Sequence, residues 1–543
     1  MTLQKGNKGI DNGISPHYND QTYSPHSTSS YTAIYLTVYF VIGDRFMDAT
    51  PEILKGNNPM KVEQIFGPNI KPYEVLEFES MLRYEDFQMF GDYGLQKNGR
   101  VIITRAPARL DVMGGIAAHC GANAFGLTLE RSAVVGCQTR QDRQLSTLNF
   151  DAGLHGYQSA LQISIDDFYK DGSLKSYEEV QSLFARNPQA IWAGYVLGGF
   201  FALLKEGLLD SLSNGVSVVV KSNIPAEAGI GSAAAICVAT LTAINHLYEL
   251  NLSAFDIARI EGIVENRIVG VPCEAVDAIT IAAGQKDTSL SIHSQPDQIL
   301  ETVPFPPNTR LIGIHSKAQR TPIRSAYVDA RTAAFMGLTI LQKTLDLEEL
   351  RDNHLCQLST KAFRQTCWKI LPARMKGADF LDRFGETVDP LTKVDPQKVY
   401  GVRSRVEHAV YEHARVQRFI EYFKEANTNL QGLHHHLTEA GKLMYASDWS
   451  NRFRAGLGLP EVEQIVRSIR KVGVRGGLYG AKITSSGSTV AVLCHGDVSN
   501  AMIQILSAYK LAWGLDAEVF AGSSPGAFEF GHVVLRLSKE GAS

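Results

Sequence analysis

The sequence predicts an α+β fold in two lobes with a cleft between them. Three observations carry this reading. Strand-like apolar runs and helical spacings mix through the first half, and one strand is joined to a helix by a glycine-rich turn. Long helical segments then dominate, and the chain closes on short apolar strands. At 543 residues and 44% hydrophobic, it can bury a sizeable core and divides into more than one domain.

Taken in order, residues 11–30 are rich in Ser, Asn, Tyr and His and read as disordered. The apolar run 31–43 is shorter than the ~20 residues of a membrane helix. It also lacks the basic lead and small-residue cleavage site of a signal peptide. Two readings stay open for it: an accessory strand, or translated sequence upstream of a start at Met47 or Met60. Residues 1–95 are therefore left as a poorly defined N-terminal extension, followed by domains at 96–308 and 309–543. Residues 101–104 and 133–137 read as strands and 190–204 as a buried helix. A strand at 215–220 precedes helices at 236–248 and 254–264. The strand 310–315 marks the crossing into the second half. That half is helical at 328–345, 406–426 and 433–444, then β-rich at 489–493 and 532–537.

Bulk properties exclude several function classes. A net charge of −3 leaves no electrostatic footprint for nucleic acid or an anionic membrane. The seven cysteines (Cys120, Cys137, Cys237, Cys273, Cys356, Cys367, Cys494) are odd in number and scattered, the pattern of reduced cytoplasmic thiols. His434, His435 and His436 occupy adjacent helical positions that point in different directions, so they are not read as a metal site.

The most informative stretch is Ile224-Pro225-Ala226-Glu227-Ala228-Gly229-Ile230-Gly231-Ser232-Ala233-Ala234-Ala235. Its glycines allow a tight turn, and the following helix presents unpaired N–H groups and a positive dipole end. Strand, turn and helix N-terminus make an anion cradle, most often for phosphate; the alternative is a packed strand-to-helix turn. Two further segments supply context. Arg105-Ala106-Pro107-Ala108-Arg109-Leu110-Asp111-Val112-Met113-Gly114-Gly115 lies upstream, and Gly480-Ala481-Lys482-Ile483-Thr484-Ser485-Ser486-Gly487 lies near the end. In order, the three resemble the motifs of the GHMP kinases, and within them the arabinokinase-like and galactokinase-like sugar 1-kinases. The resemblance runs from about residue 98 onward and includes Val264-Glu265-Asn266-Arg267-Ile268-Val269-Gly270-Val271-Pro272-Cys273.

The resemblance implies a two-lobed GHMP kinase fold: a ribosomal-protein-S5-like N-terminal lobe (96–308, ATP-binding), a C-terminal α/β lobe (309–543), and the active site in the cleft. It implies a Mg-ATP-dependent kinase acting on a small sugar, with the anomeric hydroxyl as acceptor and with ATP and Mg2+ as cofactors. The nucleotide cradle is then Pro225, Gly229, Ile230, Gly231, Ser232, Ala233 and Ala234. Ser232 and Glu265 are the metal ligands, because the family's carboxylate stands twelve positions before its catalytic aspartate, here Asp277. Asp277 takes the acceptor's proton, and Arg109 keeps that carboxylate ionised and stabilises developing charge. Gly115, Ala118, His119, Glu274 and Tyr327 form the sugar site. Gly480, Lys482, Thr484, Ser485, Ser486 and Gly487 form a loop closing over the phosphates.

Three departures stand out. Ala118 replaces a sugar-binding Asp, Glu274 replaces a Gly, and Ala233 replaces a second Ser. Losing the carboxylate should cost about 1.5–3 kcal/mol per charged hydrogen bond. The relocation of a carboxylate from position 118 to 274 is one reading; a catalytically weak sensor or regulator of the same fold is the competing one. The partners implied are a small sugar and ATP, with no nucleic acid and no membrane, and a monomer or weak oligomer.

Overall fold

Apolar residues fill most positions from 99 to 139, and the chain there forms the two longest strands of a computed structural model. The structure describes residues 60–83, 90–319, 321–484 and 487–538, with the backbone alone over 321–324. The expectations for 11–30 and 31–43 lie outside the described residues.

The strands are β1 (Lys61–Phe66), β2 (Gly99–Met113), β3 (Asn123–Thr139), β4 (Gln144–Asn149), β5 (Ala160–Ser164), β6 (Val216–Ser222), β7 (Thr288–Ser294) and β8 (Asp297–Pro304), then β9 (Thr309–His315), β10 (Leu478–Ile483), β11 (Thr489–His495), β12 (Glu518–Phe520) and β13 (His532–Ser538). The large sheet runs β1-β13-β2-β3-β6-β4-β5, while the start of β3 pairs with β7, which pairs with β8. The small sheet runs β10-β11-β9-β12. The helices used below are α1 (Tyr73–Arg83), α2 (Gly194–Lys205), α3 (Ser232–Leu247), α4 (Ala254–Ile263), α5 (Val276–Ala283), α6 (Thr321–Thr344), α7 (Val402–Thr428) and α8 (Leu433–Ser450). Helices α3 and α5 pack on β2 and β3, and α2 and α4 pack behind α3. Phe200, Phe201, Leu241 and Ile244 are completely buried between these layers. Helix α8 packs on β10 and against α7.

Two expectations are corrected. Part of the extension assigned as poorly defined is integral to the large sheet: β1 pairs with β13, and Phe78 of α1 is fully buried. A Cβ on Gly136 would stand 2.7 Å from Phe78 Cζ, so a glycine in β3 makes room for that ring. The strand escaped notice because β1 (KVEQIF) is an edge strand exposing five of its six residues, which removes the alternation that marks a half-buried strand. The chain also does not divide cleanly at 308/309. Its last strand, β13, returns to pair with β2, so the second half lends a strand to the first sheet.

The strand expected at 101–104 continues straight through the first motif as β2. Pairing with β3 shifts register between Pro107 and Arg109 and again between Asp111 and Met113. Such bulges bend a strand and re-aim its side chains, here at Arg109.

Gly480 of β10 faces Gly441 of α8 at backbone contact. A Cβ on Gly480 would lie 2.6 Å from Gly441 Cα, and one on Gly441 would lie 2.0 Å from the Tyr479 carbonyl oxygen. The third-motif glycine therefore serves helix-on-strand packing. Gly441→Ala is expected to lower unfolding free energy by about 1–3 kcal/mol, because backbone rather than a pliable side chain must move. Urea denaturation measures it, and an unchanged midpoint would refute the packing account.

Candidate active site

The turn between β6 and α3 is shaped by glycines at positions that need them. Gly229 and Gly231 have φ of 75° and 81°. A Cβ on Gly231 would also lie 3.2 Å from Arg109 Cγ, so that residue approaches its neighbour closely as well. Gly231 caps α3 without any side-chain hydrogen bond, while Ala235 N–H donates to the Gly231 carbonyl at 2.9 Å. The amides of Ser232, Ala233 and Ala234 precede the first intrahelical bond, and a helix start of this kind attracts anions.

Arg109 ties this turn to the rest of the site. Its backbone N–H donates to the Ile230 carbonyl at 2.9 Å. Its Nη1 donates to the Gly229 carbonyl at 2.7 Å. Its Nε donates to Asp277 Oδ1 at 2.7 Å, and Nη2 donates to Asp277 Oδ2. Burial pulls the guanidinium pKa down, but the charge and hydrogen bonds of Asp277, with help from Asp111 and Tyr327, leave it raised. The arginine is 3% exposed whereas the Asp277 side chain is 38% exposed, so the carboxylate is open to the cleft from one side only.

Around this pair lies a cleft of about 660 Å3. Gly115, Ala118, His119, Gly229, Gly231, Ser232, Ala233, Ala234, Glu265, Glu274, Asp277 and Tyr327 all line it with Arg109. Ile230 is fully buried beneath the turn, and Pro225 does not line the cleft. At the polar end, His119 Nδ1 is 2.6 Å from Glu274 Oε1 and Nε2 is 2.8 Å from Tyr327 Oη. A carboxylate only accepts, so Nδ1 carries the proton and Nε2 accepts the Tyr327 hydroxyl. Burial and the charges of Asp277, Glu274 and Asp111 hold the Tyr327 phenol well above its ordinary range, which keeps it a neutral donor. Gln295 Nε2 donates to Glu274 Oε2 at 3.3 Å. Arg331, beside His119, is held by Asp389 at 2.8 Å and by the Thr392 hydroxyl at 2.8 Å.

Tyr157, Ile191, Trp192 and Val269 add aromatic and apolar surface to the cleft. None of these, nor Arg331, Asn149 or Asp151, was anticipated as a site residue. They come from separate elements, Arg331 from α6, Asn149 from the end of β4 and the others from the connections between elements, and carry no shared sequence pattern. The segment Arg331-Thr332-Ala333-Ala334-Phe335-Met336-Gly337 also resembles the GHMP kinases, which was the signal available for Arg331.

The third motif stands apart from these. Gly480, Lys482 and Thr484 are buried in or beside β10 and do not line the cleft; Ser485 and Ser486 lie outside the described residues. Its neighbours act on the central turn instead. Thr489 Oγ1 donates to the Ala228 carbonyl at 2.6 Å, and Ser488 Oγ donates to the Glu227 carbonyl at 3.2 Å. The small sheet thus braces the cradle from behind. Gly487 has a φ of 137°, a value that glycine adopts freely.

The donor set at the cradle fits a hard divalent cation. The Ser232 hydroxyl and the Glu265 carboxyl face one cleft, and both offer oxygen. Tyr195 Oη donates to Glu265 Oε1 at 3.2 Å and orients it. Burial, with the charge of Asp277, raises the Glu265 pKa in the absence of a cation. No helix among the described residues is long and apolar enough to cross a membrane, and all seven cysteines are free thiols.

Comparison with known proteins bears on this geometry. Residues 195–285 match the model of the GHMP kinases N terminal domain, and residues 420–510 match that of the GHMP kinases C terminal domain. L-arabinokinase of Arabidopsis thaliana is 29% identical over 493 residues, covering 80% of this chain and 47% of that protein. The chain thus spans about half the length of that relative. A galactokinase of Roseiflexus sp. (strain RS-1) is 24% identical over 432 residues, covering 79% of this chain and 92% of the relative. The crystal structure of Lactococcus lactis galactokinase complexed with galactose superposes with a TM-score of 0.63 at 18% identity, over 86% of this chain and all of that one.

Gly231→Ala is expected to weaken polyphosphate binding about tenfold, since it strains a left-handed position and pushes on Arg109. Calorimetry with pyrophosphate reads the change, and circular dichroism checks that the fold persists. Undiminished pyrophosphate affinity in a folded variant would refute the cradle.

Proposed function

Because this chain carries the N- and C-terminal domains of the GHMP kinases, we propose that it is an ATP-dependent sugar kinase. Its acceptor is a small monosaccharide, phosphorylated at the anomeric hydroxyl. The observation that carries this reading is the pairing of Arg109 with a half-open Asp277 beside an uncapped helix start in one cleft. The names of the two relatives favour an enzyme over a non-catalytic regulator.

Phosphoryl transfer needs positioning and charge neutralisation more than covalent help. The amides of Ser232 to Ala234 and the dipole of α3 hold the nucleotide's phosphates. Ser232 and Glu265 would hold Mg2+, which supplies positive charge across the phosphate oxygens. The apolar wall of Tyr157, Ile191 and Trp192 suits the purine. Asp277, reached from the cleft, accepts the proton of the attacking hydroxyl as the new phosphorus–oxygen bond forms. Arg109 keeps that carboxylate fixed in a single plane through two hydrogen bonds. Its remaining bond, to the Gly229 carbonyl, sets the distance between proton acceptor and phosphate.

The acceptor is read by the polar end. Ala118 offers nothing to a hydroxyl, whereas Glu274 presents a carboxylate on the same cleft wall, oriented by His119 and Gln295. This supports the relocation of one sugar-binding carboxylate. Glu274 also disfavours an anionic acceptor such as a uronic acid.

Asp277→Asn is expected to lower turnover by about 1000-fold or more while leaving nucleotide affinity nearly intact; unchanged turnover would falsify the assignment. Glu274→Gln is expected to raise KM for the best acceptor of an aldose, uronic acid and polyol panel about 10- to 100-fold. The kcat should change less. If L-arabinose or galactose were best by a wide margin and indifferent to Glu274→Gln, the relocation would be wrong.

A further inference from the structure

Behind Glu265, three metal-ligating groups converge. One ligand atom each from Glu261, Glu265 and Cys273 lies within 4.8 Å of the other two, and no other grouping of this kind occurs among the described residues. The placement follows from the backbone. Glu261 sits in the last turn of α4, Glu265 follows in a widened helical turn (Val264–Val269), and Cys273 comes from the loop before α5. Asn266 pins that loop: its Nδ2 donates to Cys273 Sγ at 3.3 Å, and its Oδ1 accepts from Cys273 N–H at 3.0 Å.

Glu261 has no task in the proposed phosphoryl transfer. It is 1% exposed, and its Oε1 meets no hydrogen-bond donor. Other buried carboxylates here have a cation: Glu79 has Lys71, Glu412 has Arg415 and Asp448 has Arg452. Glu261 has instead a second carboxyl and a thiol. An unbalanced acid at such a position is costly, and a glutamine or an apolar residue would serve packing better.

We infer that Glu261, Glu265 and Cys273 form a protein-held site for a divalent transition ion of the zinc class, deeper in the cleft wall than the nucleotide's Mg2+. Two carboxylate oxygens and a sulfur suit Zn2+ or Co2+, whereas Mg2+ takes oxygen alone. Glu265 and Cys273 line the cleft, which provides the entry path. Binding replaces the thiol proton and the protons on the carboxyls, all released to solvent, and no electrons change hands. The ion supplies the positive charge this corner lacks, and it would clamp the loop that leads into Asp277. The inference does not depend on the kinase reading.

Co2+ titration of the metal-stripped full chain tests it. Stoichiometric binding with a thiolate-to-cobalt charge-transfer band in the near ultraviolet is expected, and Zn2+ should abolish that band by displacement. Cys273→Ser should remove the band, and Glu261→Gln should weaken Co2+ binding at least tenfold. Metal-free Glu261→Gln should melt no lower than the metal-free wild type, which separates a lost ligand from a lost fold. Asp277→Asn should lose phosphoryl transfer yet keep the band. Absence of the band in the wild type, or Co2+ affinity indifferent to Glu261→Gln, would overturn the site, and neither result would touch the kinase assay.

Discussion

The buried guanidinium of Arg109 is the constraint on which the site depends. It donates two hydrogen bonds to Asp277 and one to the Gly229 carbonyl, while its own amide reaches the Ile230 carbonyl. One side chain therefore joins β2, the glycine turn and α5. Lysine could not reproduce this, since it lacks the planar fork that meets a carboxylate bidentately and a carbonyl at once. The bulge in β2 beside Pro107 belongs to the same arrangement, because it re-aims the strand where the arginine leaves it. Glycine at 231 completes it, since any side chain there would meet Arg109 Cγ.

The glycine turn is held from two sides, and the second explains the third motif. Thr489 and Ser488 donate to the Ala228 and Glu227 carbonyls. Gly480 lets α8 approach β10 at backbone contact. The described part of that motif thus acts through position: it sets the small sheet against the turn that the large sheet delivers. Lobe packing and cradle geometry are one problem, and the return of β13 to the large sheet ties the chain's end into the same solution.

Much of this was legible from local sequence. The strand, glycine turn and helix start of the cradle carry conformational requirements that residue types announce. Asp277 and Glu265 were found by register to a family pattern, and Arg109 by its place in the first motif. What escaped depends on the third dimension. Edge strand β1 exposes most of its residues and so shows no alternation. Trp192, Tyr157 and Asn149 reach one cleft from a short helical turn, a loop and the end of β4, with no common spacing. Glu261 sits four residues before Glu265 and reads as an ordinary helical acid until its burial is known.

Charge across the cleft adds a last constraint. Asp111, Asp151, Glu227, Glu265, Glu274 and Asp277 line it, against two guanidiniums, Arg109 and Arg331. Both are already committed, to Asp277 and to Asp389. A nucleotide triphosphate entering so acidic a space gains from the helix dipole, but a partial charge near +0.5 does not balance a polyanion. Under the proposed reaction, neutralisation must therefore arrive with the nucleotide as a bound cation, and Ser232 and Glu265 are placed to receive it. The acidity that deters a bare anion also discourages anionic acceptors at the Glu274 end. Under that proposal, one charge distribution both requires the nucleotide's metal and biases the acceptor toward neutral sugars.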